Sequence, residues 1–331
     1  MRKSIFTLLL AAMTVADVCA EQIAVVTESG TTSIYQTLDQ AIANATDGSV
    51  IYLPGGGLDI SSNTKVTKRV TIIGVSHKYN ADNADGSTVI GGDVNFAAGS
   101  DGSALMGVYA TGDVIIGSSN DSVQNIVVRY CNVNSIQIKH SGCRGIVVNQ
   151  NYLRDYSDFG DNNVSLTNCV LHSIKNVYNG IINHNVIQSY VPVSYYPLYI
   201  VKNSLITNNV FCYNTDICSV NSSRDNQIHN NISGYLYGQS LDDNTVSQLL
   251  QKKPEDLFVN PGPGVSVESD FHLKDSIGIG AGTDGTDIGI YGGTGFKDDC
   301  IAPIPRIVSK NIPEQTDAEG KLNIRIEAKL D

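Results

Sequence analysis

Tryptophan is absent from this 331-residue sequence, methionine occurs only three times, and charged residues make up 17% of the chain. Beyond residue 20, no apolar run is long enough to span a bilayer, which argues against a membrane span. Basic residues are also scarce. The formal net charge of −11 argues against nucleic acid as a partner, because such domains need a cationic footprint. Glycine, in contrast, occurs 31 times, and the apolar fraction of 41% is enough for a continuous core. This composition predicts a repetitive β protein.

The first twenty residues have the features of a secretory signal peptide. Arg2 and Lys3 precede an apolar stretch that ends at Val15, and Val18-Cys19-Ala20 supplies the small residues that a signal peptidase cuts after. We therefore expect residues 1–20 to be removed and the chain to be exported to the periplasm, the cell surface or the medium. A buried N-terminal helix and a lipid anchor on the cysteine are the alternatives.

One short phrase recurs six times: an apolar residue, two polar residues, Asn or Cys, a variable residue and usually a large apolar residue. Successive copies begin 20, 18, 16, 24 and 22 residues apart. A period of this length with some slack is too short for a strand–helix–strand unit and suits one turn of a parallel β-solenoid. The copies begin at Val128, Val148, Leu166, Ile182, Ile206 and Ile228.

The fourth position of the phrase predicts a stacked corner of the solenoid. Asparagine tolerates the left-handed conformation and can bond to its equivalent in the next turn, and cysteine is a small, buriable substitute. Cys131 and Cys169 lie two turns, or about 9.6 Å, apart, which is too far for a disulfide. Cys212 and Cys218 are the better candidates for a pair. The fourth position is occupied by Cys131, Asn151, Cys169, Asn185, Asn209 and Asn231.

The two ends of the chain differ from the repeats. Between Thr31 and Gly48, apolar residues recur at helical spacing, and Ser33 and Gln36 are placed as a capping box. We predict a helix there that caps the N-terminal end of the solenoid. Near the C-terminus, the strict alternation of Leu322–Leu330 predicts one half-buried strand, which either covers the other end of the solenoid or pairs with something outside this chain.

Several segments resemble pectin-lyase-like right-handed parallel β-helix proteins. Asp47–Pro54 and Val70–Gly74 are similar to the opening of that family, and Phe258–Pro261 and Gly282–Gly293 look like the closing part of its secreted bacterial members. The resemblance covers roughly residues 30–296. It implies an all-β, single-stranded right-handed parallel β-helix with an N-terminal capping helix. The same scaffold carries lyases, glycosidases, esterases and adhesins, so the resemblance specifies the fold better than the chemistry.

The resulting division of the chain has four parts. They are a signal peptide at 1–20, an N-terminal strand and capping helix at 21–60, the β-helix at 61–296, and a C-terminal extension with one strand at 297–331.

Lysines recur at similar places between copies of the phrase and predict an outward cationic face. A polysaccharide lyase needs a base beside the acidic carbon of a uronate and a cation for its carboxylate. Lys139, Lys175 and Arg129 are therefore the candidate catalytic residues, and Lys202 and Arg144 are candidates for substrate binding. The alternative is that all five are ordinary solvated residues that alternate with buried Ile and Val.

Two further segments are candidates for sugar binding. The excursion from Arg154 to Asp161 carries Asp155 and Asp158. The alternatives for these carboxylates are solvated side chains, binding of a sugar or calcium, and an acid and base pair. The longest insertion carries four tyrosines beside two prolines. Their rings either stack on sugars or pin the loop to the solenoid. These residues are Tyr190, Tyr195, Tyr196 and Tyr199.

No metal site is predicted, although calcium stays open as a cofactor. The closing segment lacks the ligand pattern of an EF-hand, and a structural turn is favoured there. The sequence also lacks the paired aspartates of polygalacturonase-type hydrolases. It predicts an exported protein that binds extracellular polysaccharide and, if it is an enzyme, cleaves an acidic glycan as a lyase. A non-catalytic glycan-binding or cell-surface protein is the alternative.

Overall fold

A computed structural model describes most of the chain, and within it the chain forms a parallel β-solenoid of about eight turns. The parallel β-helix expected from the repeats is therefore confirmed. The proposed signal peptide, Tyr190 and Tyr195 lie outside the described residues. Those residues are 22–56, 59–78, 86–188, 196–213, 216–218, 222–234, 244–262, 264–274, 276–302, 306–311, 313, 315–316 and 319–329.

The turns of the solenoid form three faces, and each face is a sheet of parallel strands. Each strand is short, and alternate side chains point into the interior. Face 1 consists of β3 (Ser49–Tyr52), β5 (Val70–Ile73), β7 (Ala104–Met106), β10 (Val127–Arg129), β13 (Ile146–Asn149), β16 (Val164–Thr167), β19 (Ile181–Asn183), β22 (Leu205–Thr207) and the first parts of β24 (Gln227–Ser233) and β25 (Thr245–Gln251).

The other two faces follow face 1 along each turn. Face 2 consists of the first parts of β4 (Asp59–Val66) and β6 (Val89–Phe96), then β8 (Tyr109–Ala110), β11 (Asn132–Val133), β14 (Tyr152–Leu153), β17 (Val170–Leu171), β20 (Val186–Ile187), β23 (Val210–Phe211) and the second parts of β24 and β25. Face 3 consists of the second parts of β4 and β6, then β9 (Val114–Ile116), β12 (Ile136–Ile138), β15 (Ser157–Asn162), β18 (Ile174–Tyr178) and β21 (Leu198–Lys202).

The recurring phrase sets the register between turns. The six apolar residues that open its copies pair with one another across face 1 and are all fully buried in the solenoid interior. The strands that begin at Val70, Val89 and Val114, ahead of the first copy of the phrase, belong to the same stack. Insertions leave the interior intact because they emerge at corners between faces.

The left-handed turn at the corner between faces 1 and 2 lies one residue earlier than predicted. The third position of the phrase has the positive φ, from Tyr130 at 55° to Asn230 at 51°, whereas the fourth does not. The turn of the chain places the third side chain outside and the fourth inside. The left-handed residues of this corner are Gly107, Tyr130, Gln150, Asn168, His184, Asn208, Asn230 and Gln248.

The fourth position forms the predicted ladder of hydrogen bonds inside the solenoid. The side chain of Asn185 donates to Asn209 at 2.9 Å, and Asn209 donates to Asn231 at 3.0 Å. Cysteine stands in for Asn at two rungs, and burial raises the thiol pKa of Cys131 and Cys169 to about 12, so both are unreactive at neutral pH. All six cysteines beyond residue 20 are free, so Cys212 and Cys218 do not form a disulfide.

The N-terminal end contains a helix, but the predicted capping box is wrong. Residues from β1 (Ile23–Val26) and β2 (Thr32–Tyr35) form antiparallel pairs, so Ser33 lies in a strand. Helix α1 (Leu38–Asn44) begins after Thr37, whose hydroxyl accepts the Gln40 N–H at 3.2 Å. Strand pairing overrides the local capping signal, because it satisfies more backbone groups.

The stacked turns end at β25, earlier than the predicted boundary at residue 296. The chain then forms α2 (Pro254–Leu257), β26 (Phe258–Asn260) and β27 (Asp270–Leu273), which lie outside the stack. Two strands follow instead of one, β28 (Arg306–Asn311) and β29 (Arg325–Lys329), and they pair with each other as a hairpin. No helix among the described residues is long and apolar enough to cross a membrane.

Candidate functional site

Face 2 is covered by the C-terminal part of the chain itself. Its outward residues form an apolar column across five turns, and Leu257, Phe258 and Phe271 pack on that column as a second core. The rings of Phe258 and Phe271 meet edge to face with centroids 5.3 Å apart. Over these turns, face 2 has no open surface for a ligand. The column consists of Tyr152, Val170, Val186, Val210 and Ile232.

The closing segment (residues 276–302) lies along the corner between faces 1 and 2, where the left-handed side chains hold it. Asn208 accepts the Thr283 N–H at 2.8 Å and donates to the Thr283 hydroxyl at 2.9 Å. His184 Nε2 lies 3.0 Å from Asp284 Oδ2. Neighbouring turns make equivalent contacts: Gln150 with the Lys297 N–H, Asn168 with the carbonyls of Ile290 and Gly292, and Asn230 with the carbonyl of Ala281.

The aspartates of the closing segment are used in these local contacts. Burial would raise the pKa of Asp284, but hydrogen bonds from Thr286 and His184 outweigh it and hold the pKa at about 2. Asp287 accepts the Gly280 N–H at 2.9 Å. In the part of the chain that the structure describes, no group of three or more His, Cys, Asp or Glu side chains is placed to hold a metal ion.

Face 3 carries a column of six outward side chains, five of which are polar or aromatic. One outward residue from each of six consecutive turns occupies the same register position. Adjacent members are about 4.8 Å apart, because that is the spacing of neighbouring strands. We call this set the face 3 column. Its members are Asn95, Ile115, Gln137, Asp158, Lys175 and Tyr199.

Asp158 and Lys175 form an ion pair at the centre of the face 3 column. Lys175 Nζ lies 3.0 Å from Asp158 Oδ2, with 28% and 24% of the two side chains exposed. The other carboxylate oxygen accepts the Asn176 amide at 2.8 Å and the Gly160 N–H at 3.1 Å. The predicted excursion is thus a strand, β15, in which buried Ser157 and Phe159 flank Asp158.

Tyrosines surround this ion pair. The ring of Tyr156 lies under the Lys175 ammonium, which is 4.8 Å from the ring centroid. Tyr199 is in register with Lys175 in the next turn, and 39% of its surface is exposed. A cation between aromatic rings holds those rings in place and leaves their other surfaces open to a ligand.

Gln137 connects the ion pair to the preceding turn. Its side-chain amide donates to the Tyr156 carbonyl at 3.1 Å and to the Ser135 hydroxyl at 2.8 Å. Its carbonyl oxygen accepts from Lys139 Nζ at 3.2 Å. Lys139 is exposed, so its ammonium group extends the polar surface towards solvent.

A second, shorter column lies beside the first on face 3. Tyr178 and Lys202 are in register, and Lys202 pairs with Arg224 in the following turn. Tyr178 is 47% exposed. These residues add another aromatic ring and two cations to the same open face.

The three lysines do not form the single cationic stripe that their spacing predicted. Lys175 aligns with Asp158 and Tyr199, while Lys202 aligns with Tyr178. The lysines are separated because Lys175 is the second residue of β18, Lys202 is the last residue of β21, and Lys139 follows the end of β12. Cations, carboxylate and tyrosines therefore alternate across this face.

The remaining candidates lie elsewhere. Arg129 is on face 1, where its Nε donates to Asn149 at 2.9 Å. Arg144 lies at the corner between faces 3 and 1 and donates to the carbonyls of Ser141 and Cys143 at 2.8 and 2.7 Å. The structure thus separates both arginines from the lysines of face 3.

The corner between faces 2 and 3 holds Asp155, which is exposed and accepts the Tyr156 N–H at 2.7 Å. Burial lowers the pKa of nearby His172, while Asp155 acts in the opposite direction. Tyr196 is half-buried just before β21. These residues border the face 3 column without being part of it.

Gln137, Tyr156 and Tyr178 were not among the predicted site residues. Gln137 could have been found, because it is the polar residue between buried Ile136 and Ile138 and so points outward. Tyr156 and Tyr178 lie at the ends of strands, where the alternation of the sequence does not predict which residue of the next turn each one faces.

The arrangement favours recognition over proton transfer. Both carboxylate oxygens of Asp158 have hydrogen-bond donors, and the Lys175 ammonium has a carboxylate partner. A lyase base needs a free lone pair directed at the substrate. Fixed polar groups beside exposed rings are instead suited to hydroxyl groups and the apolar faces of sugar rings.

Searches against protein-family models, curated proteins and solved structures found no match to this chain.

Proposed function

We propose that the chain is an exported protein that binds extracellular polysaccharide along face 3. The observation that carries the proposal is the face 3 column, in which Asp158, Lys175 and Tyr199 stand in consecutive turns on an open face. The column repeats at about the strand spacing. An extended polymer lying along the solenoid axis would meet one set of polar and aromatic groups after another.

Four observations support this proposal. Face 2 is already occupied by the C-terminal part of the chain, so it does not compete as a binding face. The tyrosines of face 3 have exposed surface beside cations. The chain also resembles pectin-lyase-like β-helix proteins in its opening and closing segments. That resemblance favours carbohydrate as the ligand, and the N-terminal twenty residues favour export.

Binding is tested by affinity electrophoresis against a panel of neutral and acidic polysaccharides. The double variant Lys175→Ala/Tyr199→Ala should lose at least tenfold in affinity for the glycan that retards the parent protein. The matched control is Leu205→Ala/Gln227→Ala on face 1, because Leu205 is 41% exposed against 39% for Tyr199. Equal loss in both variants, or no retardation by any glycan, would contradict the proposal.

Cleavage of an acidic glycan is the second candidate, favoured by the cations Lys139 and Lys202 on the same face. It is tested by following the ultraviolet absorbance of unsaturated uronate ends, with and without calcium. A rise that Lys139→Ala abolishes would establish a lyase. Retardation by a glycan without any rise in absorbance would show that the protein binds the glycan and does not cleave it.

Export is tested separately by N-terminal sequencing of the protein recovered outside the cytoplasm. A mature chain that begins at Glu21 is expected, and an intact Met1 would contradict the proposal.

A further inference from the structure

Face 1 carries a serine and a histidine side by side on two neighbouring turns. His229 of β24 is in register with Ser247 of β25. Neighbouring strands are about 4.8 Å apart, so the two side chains can meet. His229 Nδ1 lies 2.6 Å from Ser247 Oγ, which is within hydrogen-bond distance. The register of two paired strands therefore holds a hydroxyl group against an imidazole.

Both side chains point out of the solenoid. The residues that precede them, Ile228 and Val246, belong to the interior core or pack against it. Successive residues of a strand point to opposite sides, so His229 and Ser247 are on the outer surface. His229 is half-buried and Ser247 is exposed. A ligand on face 1 can therefore reach the serine oxygen.

Gln227 orients the imidazole of His229. It lies two residues earlier in β24, on the same side of the strand. Its side-chain oxygen Oε1 lies 3.3 Å from His229 Nε2. That oxygen can only accept a hydrogen bond, so the ring proton is on Nε2. Nδ1 then has a free lone pair, and the Ser247 hydroxyl donates to it.

A second hydroxyl group is in register with His229 but is already used. Thr207, on the preceding turn, donates from its hydroxyl to Asn183 Oδ1 at 3.0 Å. Thr207 is also buried, whereas Ser247 is exposed. Ser247 is therefore the hydroxyl that His229 can activate.

The three residues have the arrangement of a serine nucleophile, its general base and a group that orients the base. In many enzymes the third group is a carboxylate, which fixes the tautomer of the imidazole and also stabilises its protonated form. The amide of Gln227 fixes the tautomer but has no charge to offset that of the imidazolium. This favours reaction with esters, whose alcohols leave readily, over reaction with amides.

We propose that Ser247 is a nucleophile that cleaves carboxylic esters on face 1, with His229 as its general base and Gln227 as a positioning residue. Ser247 Oγ forms a bond to the carbonyl carbon of the ester, and its proton passes to His229 Nδ1. The bond from that carbon to the alcohol oxygen then breaks, and the alcohol leaves with the proton.

Water completes the reaction. It attacks the carbonyl carbon of the acyl-serine and gives a proton to His229 Nδ1. The bond to Ser247 Oγ breaks, the serine recovers its proton, and the carboxylic acid is released. No metal ion or redox partner takes part in either step. The reaction needs no glycan, so its outcome is independent of binding along face 3.

The probe is p-nitrophenyl acetate, tested on the chain purified as the expressing cell processes it. Release of nitrophenolate gives the rate, and mass spectrometry of the peptide that contains β25 locates the acetyl group. The parent should be acetylated on Ser247. Ser247→Ala should lose that label and release nitrophenolate at least about tenfold more slowly. Thr245→Ala is the matched control, because Thr245 is another exposed hydroxyl residue of β25 and is in register with Gln227 rather than a histidine.

The roles of the other two residues are tested separately. His229→Asn removes the general base and should slow acetylation of Ser247 at least about tenfold. Gln227→Ala should also slow it, whereas Gln227→Glu should restore the parent rate or exceed it, because a carboxylate accepts the same N–H. Equal rates in the two Gln227 variants would contradict the positioning role. Circular dichroism and thermal unfolding confirm that all the variants fold.

Two outcomes would overturn the proposal as a whole. One is a parent protein in which acetylation is confined to lysine side chains and Ser247 stays unmodified. The other is acetylation of Ser247 at the parent rate in His229→Asn, since the serine would then react without its base.

Discussion

Faces 2 and 3 are built from the same kind of short parallel strand, yet among the described residues only face 2 is covered. The outward residues of face 2 include Val170, Val186 and Val210, which recruit the C-terminal part of the chain as a second hydrophobic layer. Face 3 presents Gln137, Asp158 and Lys175 at equivalent places. The interior is apolar behind both faces. The outward position alone therefore decides whether a face of this solenoid is structural or available to a ligand.

The largest expected difference between the faces comes from removing a ring of the second core. Phe271 is 2% exposed, and Phe271→Ala should lower the free energy of unfolding by about 3–5 kcal/mol, because it leaves a cavity. Chemical denaturation measures this. The control Val259→Ala, at a position 54% exposed, should change stability by less than about 0.5 kcal/mol. A Phe271→Ala protein as stable as the parent would mean that face 2 folds without its cover.

The second largest effect is expected from acid, which should lower the free energy of unfolding through His77 beside the covered face. Burial lowers the pKa of His77 from 6.5 to about 3, with Lys78 and Arg154 acting in the same direction, and its ring packs on Tyr152. The native state thus resists protonation. The stability contributed by neutral His77 is complete above pH 6.5 and is lost as the pH falls towards 3.

At pH 5 this effect should amount to about 2 kcal/mol. Urea titrations between pH 7 and pH 5 measure it, and His77→Phe should flatten this part of the pH dependence. An unchanged slope in that variant would assign the acid sensitivity to other groups.

A smaller loss is expected at the corner that holds the closing segment. Asn168 has a φ of 52° and donates to the carbonyls of Ile290 and Gly292. Asn168→Gly keeps the backbone conformation but removes the bonds, and should cost about 1–2 kcal/mol. Asn168→Ala should cost about 1 kcal/mol more, because alanine disfavours the left-handed region. Equal stability of the two variants in thermal unfolding would disprove the conformational contribution.

The smallest effect on stability is expected on the open face. The ion pair of Lys175 and Asp158 is partly exposed, and a double-mutant cycle with Lys175→Ala and Asp158→Ala should give a coupling of at most about 1 kcal/mol. Denaturation of the four proteins measures that coupling. A value of several kcal/mol would make the pair structural and weaken its assignment to ligand binding.

The repeat made the solenoid predictable, because Val128, Val148 and Leu166 mark equivalent positions that the structure places in register. The ladder of hydrogen bonds inside the solenoid was also predictable, because the fourth position of the phrase is Asn or Cys in every copy. The left-handed residue was predicted one position too late, since Tyr130 and Gln150 are not residues that signal such a conformation.

The candidate site was predicted less completely. Asp158, Lys175 and Tyr199 were named individually, but the sequence did not show that they pair in register across consecutive turns, because the three lie at different distances from their copies of the phrase. The role of the closing segment was missed because its contacts are remote in sequence, as between His184 and Asp284. Local patterns do not record which distant segment will cover an apolar column.

The closing segment has a consequence for how this protein can change its length. It crosses the turns in order, contacting Asn230 near its start and Gln150 near its end, with one left-handed side chain used in each turn between them. The length of the closing segment therefore matches the number of turns that it crosses. Duplicating one turn would put every later contact out of step, unless the segment grew by a matching piece. The number of turns and the length of the closing segment can therefore change only together.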